Sequence, residues 1–397
     1  MLVCAAAGPN LRAVVPPPDG GYPGGNTAEG QKALLSLTTG GFNTGVGFLS
    51  LRTNSTGGFN TAVGAGTLLA NTGNNNTATG AGALLSNSTG FNNTANGTLA
   101  LFSNTEGDSN TAYGITALFA NTIGAQNTAV GLGALTHNTE GGGNTAVGLI
   151  ALSSNTTGSV NTAVGANALG SNDGGNQNTA VGQFALGNNI NGTSNIALGS
   201  SAGTGVTTVD NVICIGTPGQ NVANSCYIGQ IFGVTSSGGI GVFINADGKL
   251  GTATSSERFK DAIKPMDRAS ELLFALKPVT FHYKKEIDPA GTSQFGLVAE
   301  DVEKVNADLV VRDNEGKPYS VRYDQVNAML LNEFLKEHRK VEEESRKVEK
   351  QETTISQLGS TVTQQQKQIE ALTVGLQKVS DQLKLSGPAP RTVADNR

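Results

Sequence analysis

The chain of 397 residues has no tryptophan, only three cysteines and three histidines, and 5% aromatic residues. No core of large rings is advertised, and no row of aromatic faces on which sugars could stack. Three cysteines (Cys4, Cys214 and Cys226) make neither a disulfide framework nor a zinc site. The sequence offers no cofactor motif, and no metal site is expected. No apolar run reaches the roughly 18 residues that a transmembrane helix needs. A basic excess is also missing: the net charge of −5 gives no footprint for nucleic acid. The start, "MLVCAAAGPN", has no basic n-region and too short an apolar stretch for a complete signal peptide. It also fits the tail end of a leader that begins upstream.

Charge is scarcest before Ser255, where only 8 of the 31 acidic and 4 of the 26 basic residues fall. Glycine runs the other way, with 48 of 54 before Ser255, yet it does not recur at every third position as in collagen. What fills this part is a repeat. The string "NTAVG" and its variants recur with their first Asn at 26, 43, 60, 76, 93, 110, 127, 144, 161, 178, 195 and 211. A period of 16 or 17 residues held this long marks a solenoid. The column after N-T is almost always Ala, as at Ala62, Ala95 and Ala129, while the next accepts Val63, Asn96 and Tyr113. That alternation is a strand with one tight and one open face. A second pair of columns, such as Ala83-Leu84 and Ala117-Leu118, suggests a second short strand per unit. One unit cannot bury its Leu, but a stack can. The recurring Asn is a turn and stacking device. Sequons such as those at Asn54 and Asn87 follow from the repeat and carry no glycosylation signal of their own. The G-G-x-G-x-D spacing of calcium-binding rolls is absent. Cys214 in "NVICIG" and Cys226 in "NSCYIG" stand in similar contexts, open to pairing or to remaining two buried thiols.

These repeats, over residues 26–216, resemble the head region of trimeric autotransporter adhesins, although their period is longer than that family's. The resemblance implies a left-handed parallel β-roll, a homotrimer and a surface-displayed rod.

From residue 255 the pattern becomes that of a small α+β domain. "MDRASELLFALKP" reads as a helix with Asp267 as N-cap, "VTFHYKK" as a strand, "QFGLVAEDVEKV" as a strand entering a helix, and "DLVVRDNEGKPYSVRY" as a hairpin turning at "DNEG". A long helix then starts near Asp324. Val341, Val348, Ile355, Val362, Ile369, Leu376 and Leu383 are spaced by seven, with half-polar partners three residues on, which predicts a coiled coil of modest stability. Gly359 and Gly375 each cost it about 1 kcal/mol.

At the joint, "SSERFK" sets Ser255 five residues before Lys260. A serine becomes a nucleophile when a base takes its proton, and lysine is such a base only when neutral. That requires a pKa lowered from about 10.4 toward 7 or 8, roughly 3–4 kcal/mol. Spacing alone favours a solvated turn. The blocks "SSERFKDAIKPM", "KPVTFHYKK", "QFGLVAEDVEKV" and "YSVRYDQVNAMLLNEFLKE" resemble, in order, the C-terminal intramolecular chaperone domain of phage tailspikes and fibres, the peptidase S74 family. The resemblance implies a trimeric domain that assembles the upstream fibre and then cuts itself away. By position it makes Ser255 the nucleophile, Lys260 the base and Thr254–Ser255 the scissile bond. Ser256 departs from the Asp or Asn common after that serine, which puts the rate of cleavage in doubt. His282 reads as a strand histidine. Glu300 and Asp301, adjacent in sequence, point apart and make no paired-carboxylate site.

The expected organisation is an N-terminal segment (1–25), a repeat rod (26–216), a β connector (217–254), an S74-like domain (255–340), a coiled coil (341–385) and a flexible tail (386–397). The leading reading is a trimeric fibre or adhesin-like protein with a self-cleaving assembly domain, located outside the cell, on a cell surface or in a virion. Its partners are itself and a cell-surface receptor or glycan. The alternative is a permanent structural or adhesive fibre with an inert C-terminal domain. A binder of ice or another repeating surface would need a threonine column on an exposed flat face. A transcription factor carrying the same domain is excluded by four basic residues in 254.

Overall fold

The computed structural model describes residues 22–245 and 247–387. The chain divides into two compact units, with the boundary in the sequence between Ser236 and Ser237.

The first unit is a parallel β-solenoid. Thirteen short strands, from Thr27–Glu29 to Ser225–Ile228, pair in sequence order in a single sheet. Equivalent residues pair across coils: Thr94 faces Thr111, Ala95 faces Ala112 and Asn96 faces Tyr113. The Ala column is fully buried, and the residues on either side of it point outward, as strand alternation requires. The sheet runs past residue 216 to Ile228, so the sequence stretch read as a connector supplies the last strand.

Each coil contributes one strand, not two. The Ala-Leu segment turns instead, because its Leu adopts a left-handed backbone, with φ of 51° at Leu84 and Leu101 and 53° at Leu118. That conformation costs a non-glycine residue about 1–2 kcal/mol. Burying each Leu completely contributes about 1.5–3 kcal/mol. Its N–H is also paired with the next coil, as from Leu101 to the Ala117 carbonyl at 3.0 Å. Burial therefore wins, and the Leu columns form the core.

Two asparagine ladders run through the interior. In the first, the side-chain oxygen of each Asn accepts the backbone N–H of the equivalent residue one coil on, as from Asn110 to Asn93 at 3.0 Å. The second, Asn54 to Asn189, lies in what the sequence presented as a polar loop. From Gly57 to Gly192, both ladders converge on a glycine carbonyl in each coil: Gly107 accepts from Asn93 and Asn104, each at 2.9 Å. A Cβ at Gly107 would stand 2.4 Å from the Gly124 oxygen, which is why this column is glycine. Asn54 and Asn87 are fully buried in this ladder, so a glycan cannot be built on them in the folded coil.

The last repeat is shifted by one residue. Val212, not Asn211, occupies the ladder position, and its N–H donates to Asn195 at 2.8 Å. The cysteines follow from register. Cys214 lies opposite Tyr227, and Cys226 opposite Ile213, so the two point to opposite faces. Both are free. Cys214 is buried, its thiol pushed up chiefly by burial, whereas Cys226 is exposed, against the expectation that both would be buried. Cys4 lies outside the described residues.

The second unit carries three two-stranded antiparallel sheets: Val242–Ile244 with Leu250–Thr252, Val279–Phe281 with Gln294–Gly296, and Val310–Arg312 with Pro318–Val321. The last turns at "DNEG" as expected, where the Asp313 carboxylate accepts the N–H groups of Glu315 and Lys317. Helix α1 (Ala299–Val305) and helix α2 (Tyr323–Leu385, 63 residues) complete it. Val302, Leu309, Val310, Val321 and Val326 form a small core, against which Leu273, Leu276 and Leu297 pack. Residues Asp267–Ala275 form a 3-10 helix rather than an α-helix, and the cap position is Met266, not Asp267. Asp267 has a φ of 43°, outside the range in which it could cap an α-helix.

Candidate functional site at the joint

Strand Leu250–Thr252 ends the first hairpin of the second unit, and a stretch without regular structure, Ala253 to Ser256, follows. A single 3-10 turn, Glu257–Phe259, separates Ser255 from Lys260. The turn is closed by the N–H of Lys260, which donates to the Glu257 carbonyl at 2.9 Å, and by that of Phe259, which donates to Ser256 at 3.1 Å. Arg258 covers the ring of Phe259, 4.7 Å from its centroid. Every residue from Gly251 to Lys264 is exposed. Among the described residues, no hydrogen bond joins the Ser255 hydroxyl to the Lys260 amine. Ser256 occupies the position before the turn and makes no side-chain cap.

The other sequence candidates lie apart from this turn in the chain. His282 is exposed, just past the end of strand Val279–Phe281. Glu300 and Asp301 sit in the first turn of α1. Asp301 pairs with Lys304 at 2.7 Å; that bond holds the carboxyl below its ordinary range and raises the lysine. This is a surface helix pair of small energetic weight.

A polar cluster that the sequence reading missed stands further along. Ser270, fully buried on the 3-10 helix, meets Asn332, Glu333 and Lys336 of α2. The available signal was the spacing of 332, 333 and 336, which places three polar residues on neighbouring positions of one helix face.

The threonines that open the first ten strands, Thr27 to Thr179, point outward, half-buried or exposed. The neighbouring outward column is irregular, with Glu29, Asn96 and Tyr113 among its valines. Among the described residues, no group of three or more His, Cys, Asp or Glu side chains is placed to hold a metal ion. Likewise, no helix of the described residues is long and apolar enough to cross a membrane.

Residues 255–311 match the family model of the chaperone of endosialidase, peptidase S74, a self-cleaving chaperone domain. The match opens at Ser255 itself and follows directly on the charge-poor part of the chain. No curated protein and no solved structure matches the chain.

Proposed function

We propose that this chain is a subunit of a homotrimeric fibre, in which residues from Ser255 onward drive assembly of the β-solenoid and then cut the chain between Thr254 and Ser255. The observation that carries this reading is the family match beginning at Ser255, at the boundary where charge sets in. The outer stripe of α2 supports it. Val348, Ile355, Val362 and Ile369 are all more than half exposed on a single chain, an apolar seam that partner helices would cover.

In the proposed reaction, the Ser255 hydroxyl adds to the Thr254 carbonyl carbon while neutral Lys260 takes its proton. The C–N bond breaks, Lys260 returns the proton to the leaving amine, and water hydrolyses the resulting ester. This leaves a Thr254 carboxylate and a free Ser255. Lys260 is exposed on the single chain, so its neutral form depends on burial against other copies. That dependence would order the events: assembly first, cleavage second. The assembly logic is physical. Equivalent coils offer many near-degenerate registers, and a domain that fixes one removes the competition.

The test is mass spectrometry of the purified protein after incubation. Two products, of 254 residues and of 143 beginning with serine, are expected. A folded trimer that stays at 397 residues sinks the peptidase assignment and leaves the alternative, a permanent fibre with an inert assembly domain.

A further inference from the structure

We propose that Ser270, Asn332, Glu333 and Lys336 form an acid-sensitive latch, which makes docking of the 3-10 helix Asp267–Ala275 conditional on a helical α2 and on an ionised Glu333.

The geometry is a closed set of hydrogen bonds. The Ser270 hydroxyl donates to Glu333 Oε1 at 2.5 Å and accepts from Asn332 Nδ2 at 2.6 Å. Lys336 Nζ lies 3.4 Å from the same hydroxyl and 2.6 Å from Glu333 Oε1. Asn332 Nδ2 also donates to the Asp267 carbonyl at 3.0 Å. Ser270 has no solvent exposure, and its remaining contact is with the carbonyl of Asp267 in its own helix, at 3.4 Å. All its other partners come from one face of α2. Positions 332, 333 and 336 converge only when that segment is helical. If α2 unwinds there, the buried hydroxyl loses the groups that satisfy it, which is costly.

Charge makes the contact switchable. The side chains of Lys336 and Glu333 are only 24% and 13% exposed, so each ion depends on the other. Lys336 and Lys340 act on the carboxylate from its own helix. The 3-10 helix presents to it the uncharged Ser270 hydroxyl. That helix's Arg268 and Glu271 pair with each other at 3.1 Å, with side chains 88% and 44% exposed, and Asp267 contributes its backbone carbonyl. The hydrogen bond from Lys336, and after it the one from Ser270, hold the Glu333 carboxyl below its ordinary range. The sign follows. A lowered carboxyl contributes stability in full above its unfolded value, about 4.3, and loses it as pH falls through the lowered value. Protonation leaves Lys336 charged beside Ser270 with no anion, and the latch opens.

The latch stands on its own geometry. Its bearing on cleavage, through the short segment from Ser255 to Ser270, rests on the function proposed above. The experiment separates the two by using the full-length Ser255→Ala protein, which does not depend on cleavage. Amide hydrogen exchange is read on peptides covering Asp267–Ala275, corrected for the intrinsic pH dependence of exchange. At neutral pH, Glu333→Gln and Lys336→Met should each speed exchange there by roughly tenfold or more, because each orphans a buried charge or hydroxyl. The double variant Glu333→Gln/Lys336→Met should recover most of the protection. At about pH 3, below the usual carboxylate range, the parent should open in this segment, and the double variant should show no such step. Unchanged protection in the single variants overturns the latch. So does a double variant as open as the singles, or one that keeps the acid step. Should the variants not fold, the parent's pH profile decides. If Asp267–Ala275 does not open ahead of the hairpin Val310–Val321 in acid, the proposal fails.

Discussion

The side-chain oxygen of Asn93 accepts the backbone N–H of Asn110, one coil further along, at 3.0 Å. Asn110 in turn donates its amide to the Gly124 carbonyl at 2.8 Å and accepts from Asn127. Each ladder residue therefore satisfies buried backbone groups in other coils. Asn110→Ala is expected to orphan the Asn127 N–H, at about 1–3 kcal/mol, while the Gly124 carbonyl keeps its second donor, Asn121. Thermal unfolding followed by far-UV dichroism on fragment 1–254 checks this. A melting temperature equal to that of the parent would show that water replaces the ladder.

Glycine-to-alanine changes should act with opposite signs in the two units. At Gly107 a Cβ would meet the Gly124 oxygen at 2.4 Å and Asn104 Oδ1 at 2.5 Å, contacts that real Cβ atoms do not make. Gly107→Ala should lower solenoid stability by more than about 1 kcal/mol. In α2, a Cβ at Gly359 meets nothing within 4 Å, so Gly359→Ala should raise helix stability by about 1 kcal/mol. Denaturant titration of each variant gives both values. The same sign at both sites would contradict the geometry.

The processing reaction makes its own demands. Ser255→Ala should abolish the cut, because no hydroxyl remains. Lys260→Ala should abolish it or slow it at least about 100-fold, the usual scale of general-base assistance. Ser256→Ala should leave cleavage in place, since Ser256 is not the spaced partner of Lys260. Time courses by mass spectrometry settle all three, and cleavage that survives Ser255→Ala would move the nucleophile elsewhere. Dilution of preformed trimers should not change the rate.

Self-association is expected to rest on the outer stripe of α2. Replacing Ile355 and Val362 together with Asp puts charges on two successive heptads of the seam, at residues 66% and 57% exposed on the single chain. Analytical sedimentation should then show monomers or aggregates. A discrete trimer surviving the change would place the assembly contacts elsewhere in the chain.

The sequence disclosed these features unevenly. The period, the buried Ala column and the order of elements after Ser255 were legible because each depends on local alternation or spacing. The Ala-Leu segment misled, since Leu101 looks like a strand residue and yet sits at a φ of 51°. Burial decides that conformation, and burial belongs to the stack rather than to the unit. The second ladder, at Asn54, Asn71, Asn87 and onward, recurs as faithfully as the first but is set in glycine and serine, which read as loop. At the joint, Ser255 and Lys260 were found by spacing and resemblance. Ser270 was invisible to both, because its partners lie more than 60 residues away.

The first asparagine ladder ends where Val212 takes the place of Asn, for valine can donate its backbone N–H to Asn195 but has no side-chain oxygen to offer the next coil. Length is thus encoded as a count of interchangeable modules closed by one terminator. Insertion or deletion of one such repeat unit adds or removes a whole coil without touching that terminator. A lineage could lengthen or shorten its reach in steps of one strand spacing, about 4.8 Å, while everything downstream of the stop stays the same.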